Sequence, residues 1–166
     1  MKRLTIALAL ALPGCGLHPL YAGGGSGAVA NALAGVEVSP IEGKSGWLMA
    51  NALRDRLGAG SGGGGTPRYR LDVRLDDQIA GLGVRRDDSV ARERRTLRAR
   101  YQLIDLTTSA VVVDTTAGSD AGIDVVGSEY ATIAAENTAQ ERLAVIVADQ
   151  IVGRVALYAR GHAEGQ

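Results

Sequence analysis

Arginine is the residue type whose placement in this chain most suggests a chemical role. Sixteen of the 18 basic residues are Arg, and only Lys2 and Lys44 are Lys. Residues 68–100 hold ten Arg against six acidic residues, whereas residues 101–166 hold three Arg against nine. A planar guanidinium can bind a phosphate through two hydrogen bonds at once. The overall balance of 18 basic and 18 acidic residues excludes a globally basic protein but leaves room for a local anion site.

Alternation along two predicted strands places most of these arginines on one face of a sheet. Leu71 and Val73 in the first strand, and Leu97 in the second, lie opposite the arginines. Only Asp72 and Asp76 offset the positive charge of that face. Two interpretations stay open: a solvated face with cross-strand pairs worth well under ~1 kcal/mol each, or an anion-binding surface. The arginines concerned are Arg68, Arg70, Arg74, Arg92, Arg94, Arg98 and Arg100.

The single cysteine lies at the end of a secretion signal. A basic start at Lys2 and Arg3 precedes an apolar run over residues 4–12 and then Pro13-Gly14-Cys15, the pattern of a cleavable signal peptide. The nine residues of the apolar run span roughly 14 Å as a helix, which is too short to cross the ~30 Å hydrocarbon core. The ending resembles the bacterial lipobox, so we expect cleavage before Cys15 and a diacylglycerol on its sulfur. The alternative is an incidental cysteine after the signal.

Two glycine-containing segments resemble nucleotide-binding motifs but lack the residues or the neighbouring elements that those motifs require. Gly43-Lys44-Ser45 ends like a P-loop, but position 38 is Val where that motif needs Gly. The spacing Gly58-x-Gly60-x-x-Gly63 follows a helical pattern and not the strand that dinucleotide binding requires. His18 and His162 fall in a predicted tether and tail, and the absence of Phe leaves little for stacking on bases. We therefore expect no enzyme, no metal, no cofactor and no nucleic-acid partner.

The remaining patterns predict the elements that position the arginines. A short strand over 36–41 and a helix over 45–57 precede three strands, at 69–75, 92–106 and 110–117, and a long helix over 130–158. Residues 81–88 are expected to form a turn, and the three strands an antiparallel meander. The order β-α-β-β-β-α predicts an α+β two-layer sandwich with a mainly antiparallel sheet and two helices on one face. The expected organisation is a signal peptide at 1–14, a lipidated Cys and flexible tether at 15–34, the α+β domain at 35–160 and a tail at 161–166.

The chain resembles the short form of the LPS-assembly lipoprotein family, LptE. The most specific matching segment is Gly14-Cys15-Gly16-Leu17-His18-Pro19-Leu20-Tyr21. The order of elements also matches the family's sandwich. Further matching segments are Asn51-Ala52-Leu53-Arg54-Asp55-Arg56-Leu57, Tyr69-Arg70-Leu71-Asp72-Val73, Arg100-Tyr101-Gln102-Leu103-Ile104-Asp105 and Ser128-Glu129-Tyr130-Ala131-Thr132.

This resemblance implies a non-catalytic role at the periplasmic face of the Gram-negative outer membrane. Gly16 after the cysteine is similar to sorting signals for that membrane. Such proteins plug the large β-barrel LptD, help its assembly and assist lipopolysaccharide insertion into the outer leaflet. Family members also bind lipopolysaccharide through basic residues, and the contacts expected here are Arg85, Arg86, Arg92, Arg94 and Arg98. An alternative of another class is a periplasm-facing accessory lipoprotein of a lipid-transfer or ABC-type system.

Overall fold

The computed structural model describes residues 28–58, 66–84 and 90–163. Two long helices pack against one face of a four-stranded sheet, and a short third helix packs against those two helices. The predicted α+β two-layer architecture is confirmed, with one helix more than expected. In chain order the elements are α1 (Ala28–Ala34), β1 (Val36–Val38), α2 (Gly43–Leu57), β2 (Tyr69–Val84), β3 (Val90–Asp105), β4 (Ala110–Asp124) and α3 (Glu129–Ala163).

The strands follow one another across the sheet in the order β1-β2-β3-β4. β1 runs parallel to β2, with Val36 opposite Tyr69, and the other two pairs are antiparallel. The prediction of a mainly antiparallel sheet built on a three-stranded meander is therefore confirmed. β1 has only three residues, so it covers only the beginning of β2.

Two strands are longer than their apolar alternation predicts. β2 continues past Leu75 to Val84, so the predicted turn residues Gly81-Leu82-Gly83 lie within the strand. β4 likewise continues past Ala117 to Asp124. The inward positions in these extensions include charged or small residues, which interrupt the alternation of large apolar side chains without interrupting backbone pairing.

The end of the predicted tether is helical. Residues 28–34, expected to be part of a flexible segment, form α1, and the side chains of Val29 and Leu33 are buried in the main core. Burying two apolar side chains one helical turn apart stabilises a helix whose Ala-rich composition already favours it. At the other terminus α3 reaches Ala163, so the first residues of the predicted tail are helical as well.

Helices α2 and α3 lie side by side and point the same way. Lys44 at the start of α2 donates a hydrogen bond to Asn137, 2.6 Å away, and Arg56 near its end pairs with Asp149. The predicted helix over 45–57 is confirmed, and Gly58 ends it in the left-handed conformation that glycine adopts without strain. The core between helices and sheet is built from Met49, Leu53 and Leu57 of α2, Leu71, Leu97 and Leu103 of the strands, and Leu143, Val147, Ile151 and Val155 of α3.

Candidate anion-binding face

The surface opposite the helices, which we call the outer face, carries alternate residues of β2, β3 and β4. Inward positions such as Leu71 and Leu103 are fully buried, which places their neighbours along each strand on the outer face. Arg68 precedes β2, and its guanidinium carbon lies 5.2 Å from the centre of the Tyr69 ring. The arginines of the outer face are Arg70, Arg74, Arg92, Arg94, Arg98 and Arg100, all exposed.

Carboxylates from β4 balance most of this charge, which corrects the sequence-based expectation. That expectation counted only Asp72 and Asp76, because it considered the face formed by β2 and β3 without the neighbouring β4. The structure adds Asp114, Asp120 and Asp124, placed on the outer face by pairing with β3. The outer face is therefore a mixed surface of alternating sign, not a strongly positive one.

The ion pairs across the outer face are loose and solvated. Arg92 lies 3.2 Å from Asp124, and Arg98 lies 3.7 Å from Asp120. The side chain of Arg92 is 62% exposed and that of Asp124 is 77% exposed. Exposed pairs of this kind contribute about 1 kcal/mol at most, so a competing anion could displace the carboxylates at little cost.

The expected lipopolysaccharide contacts are partly brought together by the structure. Arg92, Arg94 and Arg98 follow one another along β3 on the outer face, while Arg85 and Arg86 fall outside the described residues. Arg94 forms no ion pair within the described part of the chain. Its strand neighbours are Ala80 and Gly122, which leave its guanidinium free to meet a ligand.

Two recesses adjoin the outer face near the middle of β2. One has a volume of about 340 Å³ and is lined by Asp72, Arg74, Arg100 and Gln102. The other has a volume of about 510 Å³ and runs beside the edge of β2 where β1 has ended. It is lined by residues 39–42 and 72–75.

A second polar cluster lies on the inner face, where sequence reasoning did not place one. Arg95 of β3 donates two hydrogen bonds to the Asp77 carboxylate, at 2.8 and 2.7 Å, and a third to the backbone carbonyl of Glu136 at 3.1 Å. Ser45 of α2 and the buried Gln140 of α3 also donate to Asp77. The side chains of Arg95 and Asp77 are only 11% and 13% exposed. The sequence does contain a signal for this position. Arg95 is separated from Leu97 and Tyr101 by even numbers of positions, so all three side chains lie on the same face of β3.

The electrostatics of this inner cluster favour the charged carboxylate. Burial alone would raise the pKa of Asp77, but hydrogen bonds from Arg95 and Ser45, the charge of Arg95 and the hydrogen bond from Gln140 together hold it below its usual value. The cluster joins β2, β3, α2 and α3 at one place. Each of its four side chains forms hydrogen bonds within the cluster, which is typical of a structural network and not of a reactive site.

One of the two histidines lies in the described part of the chain. His162 lies in the last turn of α3, where its ring packs on Tyr158 at 4.0 Å and Nδ1 lies 2.9 Å from the Tyr158 carbonyl oxygen. His18 and Cys15 lie outside the described residues. Within the described ranges, no group of three or more possible metal ligands converges. No helix there combines the length and hydrophobicity needed to cross a bilayer.

Comparison with known proteins identifies the family. The LptE family, described as lipopolysaccharide-assembly, matches residues 33–155. A candidate lipoprotein from Caulobacter crescentus CB15 shares 27% sequence identity and superposes with a TM-score of 0.67, covering 82% of this chain and 98% of its own. Rare lipoprotein B from Shewanella oneidensis has the same fold at 12% identity and a TM-score of 0.57, covering 77% and 96%. No functionally curated protein matches the chain. Since the family match spans more than half of the sequence, the chain belongs to the LptE family of lipopolysaccharide-assembly proteins.

Proposed function

We propose that this protein is a non-catalytic outer-membrane lipoprotein that partners an LptD-like β-barrel. In this role it assists assembly of the barrel and insertion of lipopolysaccharide into the outer leaflet. The observation that carries the proposal is the family match over residues 33–155, which spans the whole sheet and most of α3. The mixed-charge outer face adds a surface on which anionic headgroups can exchange with weakly held carboxylates.

The proposed anchor is a lipid on Cys15. Two or three acyl chains, each buried methylene contributing about 0.8 kcal/mol, hold a protein stably on a membrane. The variant Cys15→Ala should appear in the soluble periplasmic fraction, and Ser26→Ala in the same segment should remain with the membrane. Continued membrane association of the Cys15→Ala variant would contradict lipid anchoring.

The proposed lipopolysaccharide contacts are Arg92, Arg94 and Arg98, together with Arg85 and Arg86. Their ligand would be the phosphates of lipid A and the core, which a guanidinium can bind through two parallel hydrogen bonds. Of Arg92, Arg94 and Arg98, Arg94 is the strongest candidate because the other two form ion pairs and Arg94 forms none within the described chain.

A charge-matched comparison tests these contacts. The variant Arg92→Ala/Arg94→Ala/Arg98→Ala should bind lipopolysaccharide more weakly, and the dependence of binding on salt should become less steep. The control Arg54→Ala/Arg142→Ala/Arg154→Ala removes the same number of exposed charges from the helical side. If the two variants bind lipopolysaccharide equally well, the outer-face arginines are only a solvated surface and do not contact the ligand.

Barrel partnership is tested by isolating the protein from detergent-solubilised outer membranes. A stoichiometric β-barrel of large mass should co-purify with it. Recovery of the protein alone, or with subunits of an inner-membrane transporter, would overturn the proposal and favour an accessory role in another lipid-transfer system. Depletion of the protein should also reduce lipopolysaccharide at the cell surface, and an unchanged surface amount would contradict its role in assembly.

A further inference from the structure

Arg74 and Arg100 occupy directly opposite positions on neighbouring strands of the outer face. They are register partners across β2 and β3, and they line the 340 Å³ recess together with Asp72 and Gln102. Opposite residues in an antiparallel pair lie about 5 Å apart. Like charges in this arrangement destabilise a sheet. An anion held between the two guanidinium groups would relieve this repulsion.

The carboxylates near this pair are already engaged or weakly held. Asp72 accepts hydrogen bonds from Ser39 at 2.5 Å and from Arg70 at 3.1 Å. Arg74 forms no ion pair with any other described residue. It is therefore an exposed cation at the wall of a recess whose lining carboxylate, Asp72, accepts hydrogen bonds from other residues.

Arg100 is held only loosely by its carboxylate partner. Its Nε and Nη2 atoms lie 3.4 and 3.3 Å from Asp114, and its side chain is 69% exposed. Charge-assisted hydrogen bonds between a guanidinium and a carboxylate are usually about 2.7–2.9 Å long. The inner pair of Arg95 and Asp77 has that length, at 2.7 and 2.8 Å. Arg100 can therefore turn towards a second anion without breaking a strong contact.

We propose that Arg74 and Arg100 form a binding site for a terminal phosphate group of a phosphate monoester. A phosphate dianion placed between the two guanidinium groups accepts hydrogen bonds from both and removes their mutual repulsion. This Arg74–Arg100 site is separate from the proposed contacts around Arg94. Arg98, the nearest of those residues, packs over Gly118 and pairs with Asp120 on the β4 side. The site does not depend on the proposed function, because it requires neither a barrel nor lipopolysaccharide.

The first test is a phosphate titration of the full chain in detergent, followed through the arginine Nε–H signals in NMR spectra. Inorganic phosphate should shift the signals of Arg74 and Arg100 saturably, whereas chloride at equal ionic strength should not. The variant Arg74→Gln/Arg100→Gln should bind phosphate about tenfold more weakly or worse, since each guanidinium donates charge-assisted hydrogen bonds. Absence of a saturable shift at both arginines in the unsubstituted protein would overturn the proposal.

Two further variants separate a built site from general electrostatic attraction. Arg54→Gln/Arg142→Gln removes the same charge from exposed helical positions and should leave phosphate affinity unchanged. Asp114→Asn removes the carboxylate that competes for Arg100 and should increase the affinity. If the helical control weakens binding as much as the double variant does, or if Asp114→Asn has no effect, the assigned site is wrong.

The source of the phosphate is tested with vesicles. Phosphatidylcholine vesicles containing phosphatidic acid, which has a terminal phosphate monoester, should bind the protein more tightly than vesicles containing equal phosphatidylglycerol, which has a diester. This preference should disappear in Arg74→Gln/Arg100→Gln and persist in Arg92→Ala/Arg94→Ala/Arg98→Ala. If inorganic phosphate shifts the arginine signals but the protein binds both kinds of vesicle equally, the ligand of the site is a free phosphate and not a lipid headgroup. If phosphate binding is lost in Arg92→Ala/Arg94→Ala/Arg98→Ala but kept in Arg74→Gln/Arg100→Gln, the Arg74–Arg100 site is refuted and the proposed function is not affected.

Discussion

Among the polar contacts of the described domain, the inner ion pair between Asp77 and Arg95 should contribute most to the free energy of unfolding. Replacing Asp77 with Asn keeps the shape of the side chain and removes its charge. The change leaves the Arg95 guanidinium, only 11% exposed, opposite a neutral amide. Breaking a buried pair by removing one partner costs about 3–5 kcal/mol, because the remaining charge stays desolvated.

The lower end of that range applies here, since Arg95 keeps its hydrogen bond to the Glu136 carbonyl oxygen. We expect Asp77→Asn to lower the free energy of unfolding by about 3 kcal/mol. For a chain of 166 residues, a loss of this size corresponds to a decrease in Tm of roughly 6–12 °C. By contrast, Asp114→Asn removes an exposed partner of Arg100 and should lower the stability much less than Asp77→Asn does.

The effect of Asp77→Asn should depend on pH in a defined direction. The pKa of Asp77 is lower in the folded protein than in the unfolded chain. The charged carboxylate therefore stabilises the fold above the unfolded value of about 3.9, and this contribution is lost as the pH falls through the folded pKa. The stability difference between the original protein and Asp77→Asn should be largest near neutral pH and should shrink in acid.

Urea unfolding at several pH values measures these quantities, and a double-mutant cycle with Arg95→Met isolates the pair. A coupling free energy of about 3 kcal/mol near neutral pH agrees with a buried network. A coupling below about 1 kcal/mol, the range of surface pairs, would refute the assignment of the inner cluster as a stabilising contact. A stability difference that does not change with pH would refute the electrostatic explanation.

Three further substitutions test local packing by urea unfolding. Gly46→Ala in α2 would place a Cβ 2.5 Å from the backbone oxygen of Ile41, so it should destabilise the protein by about 1–3 kcal/mol; a neutral effect would show that this approach is not close. Gly153→Ala in α3 meets no atom within 4 Å and should stabilise by up to about 1 kcal/mol, and a loss of stability would contradict an open helix surface there. Gln150→Ala removes side-chain hydrogen bonds to the amide and carbonyl of Gly118 on β4, at 3.1 and 3.4 Å; it should cost about 1 kcal/mol and speed hydrogen exchange at the Gly118 amide, and unchanged exchange would show that the contact is not formed.

Element order could be predicted from the sequence because its signals are local. The helix over 45–57 has apolar residues at Met49, Leu53 and Leu57, four positions apart, and all three are fully buried in the structure. Alternation over 69–75 likewise predicts the part of β2 that packs against the core. These patterns indicate which residues face inward without any knowledge of their partners.

Strand ends could not be predicted because they depend on distant partners. β2 continues past Leu75 with Asp77 at an inward position, which alternation of apolar residues does not identify as part of a strand. Its charge is compensated by Arg95, which comes eighteen residues later in the sequence and donates two hydrogen bonds to it, and by further donors on α2 and α3. The net charge of the outer face depends in the same way on the neighbouring strand, since Asp120 and Asp124 enter it only when β4 continues past Ala117.

Arg94 and Arg95 are neighbours on β3, yet only Arg94 is exposed in the way that the proposed anion contact requires. The two side chains leave β3 on opposite faces. Arg95 is enclosed by Asp77 and by the α3 backbone, whereas Arg94 is exposed beside Ala80 and Gly122. The inner pair fixes the backbone of β3 at a position adjacent to the exposed guanidinium. A rigid strand loses little conformational entropy when a ligand binds, so the buried contact would favour the anion binding proposed for Arg94 without touching the anion. Residue type alone therefore does not identify a binding arginine in this sequence, because the position of its side chain relative to the sheet decides its role.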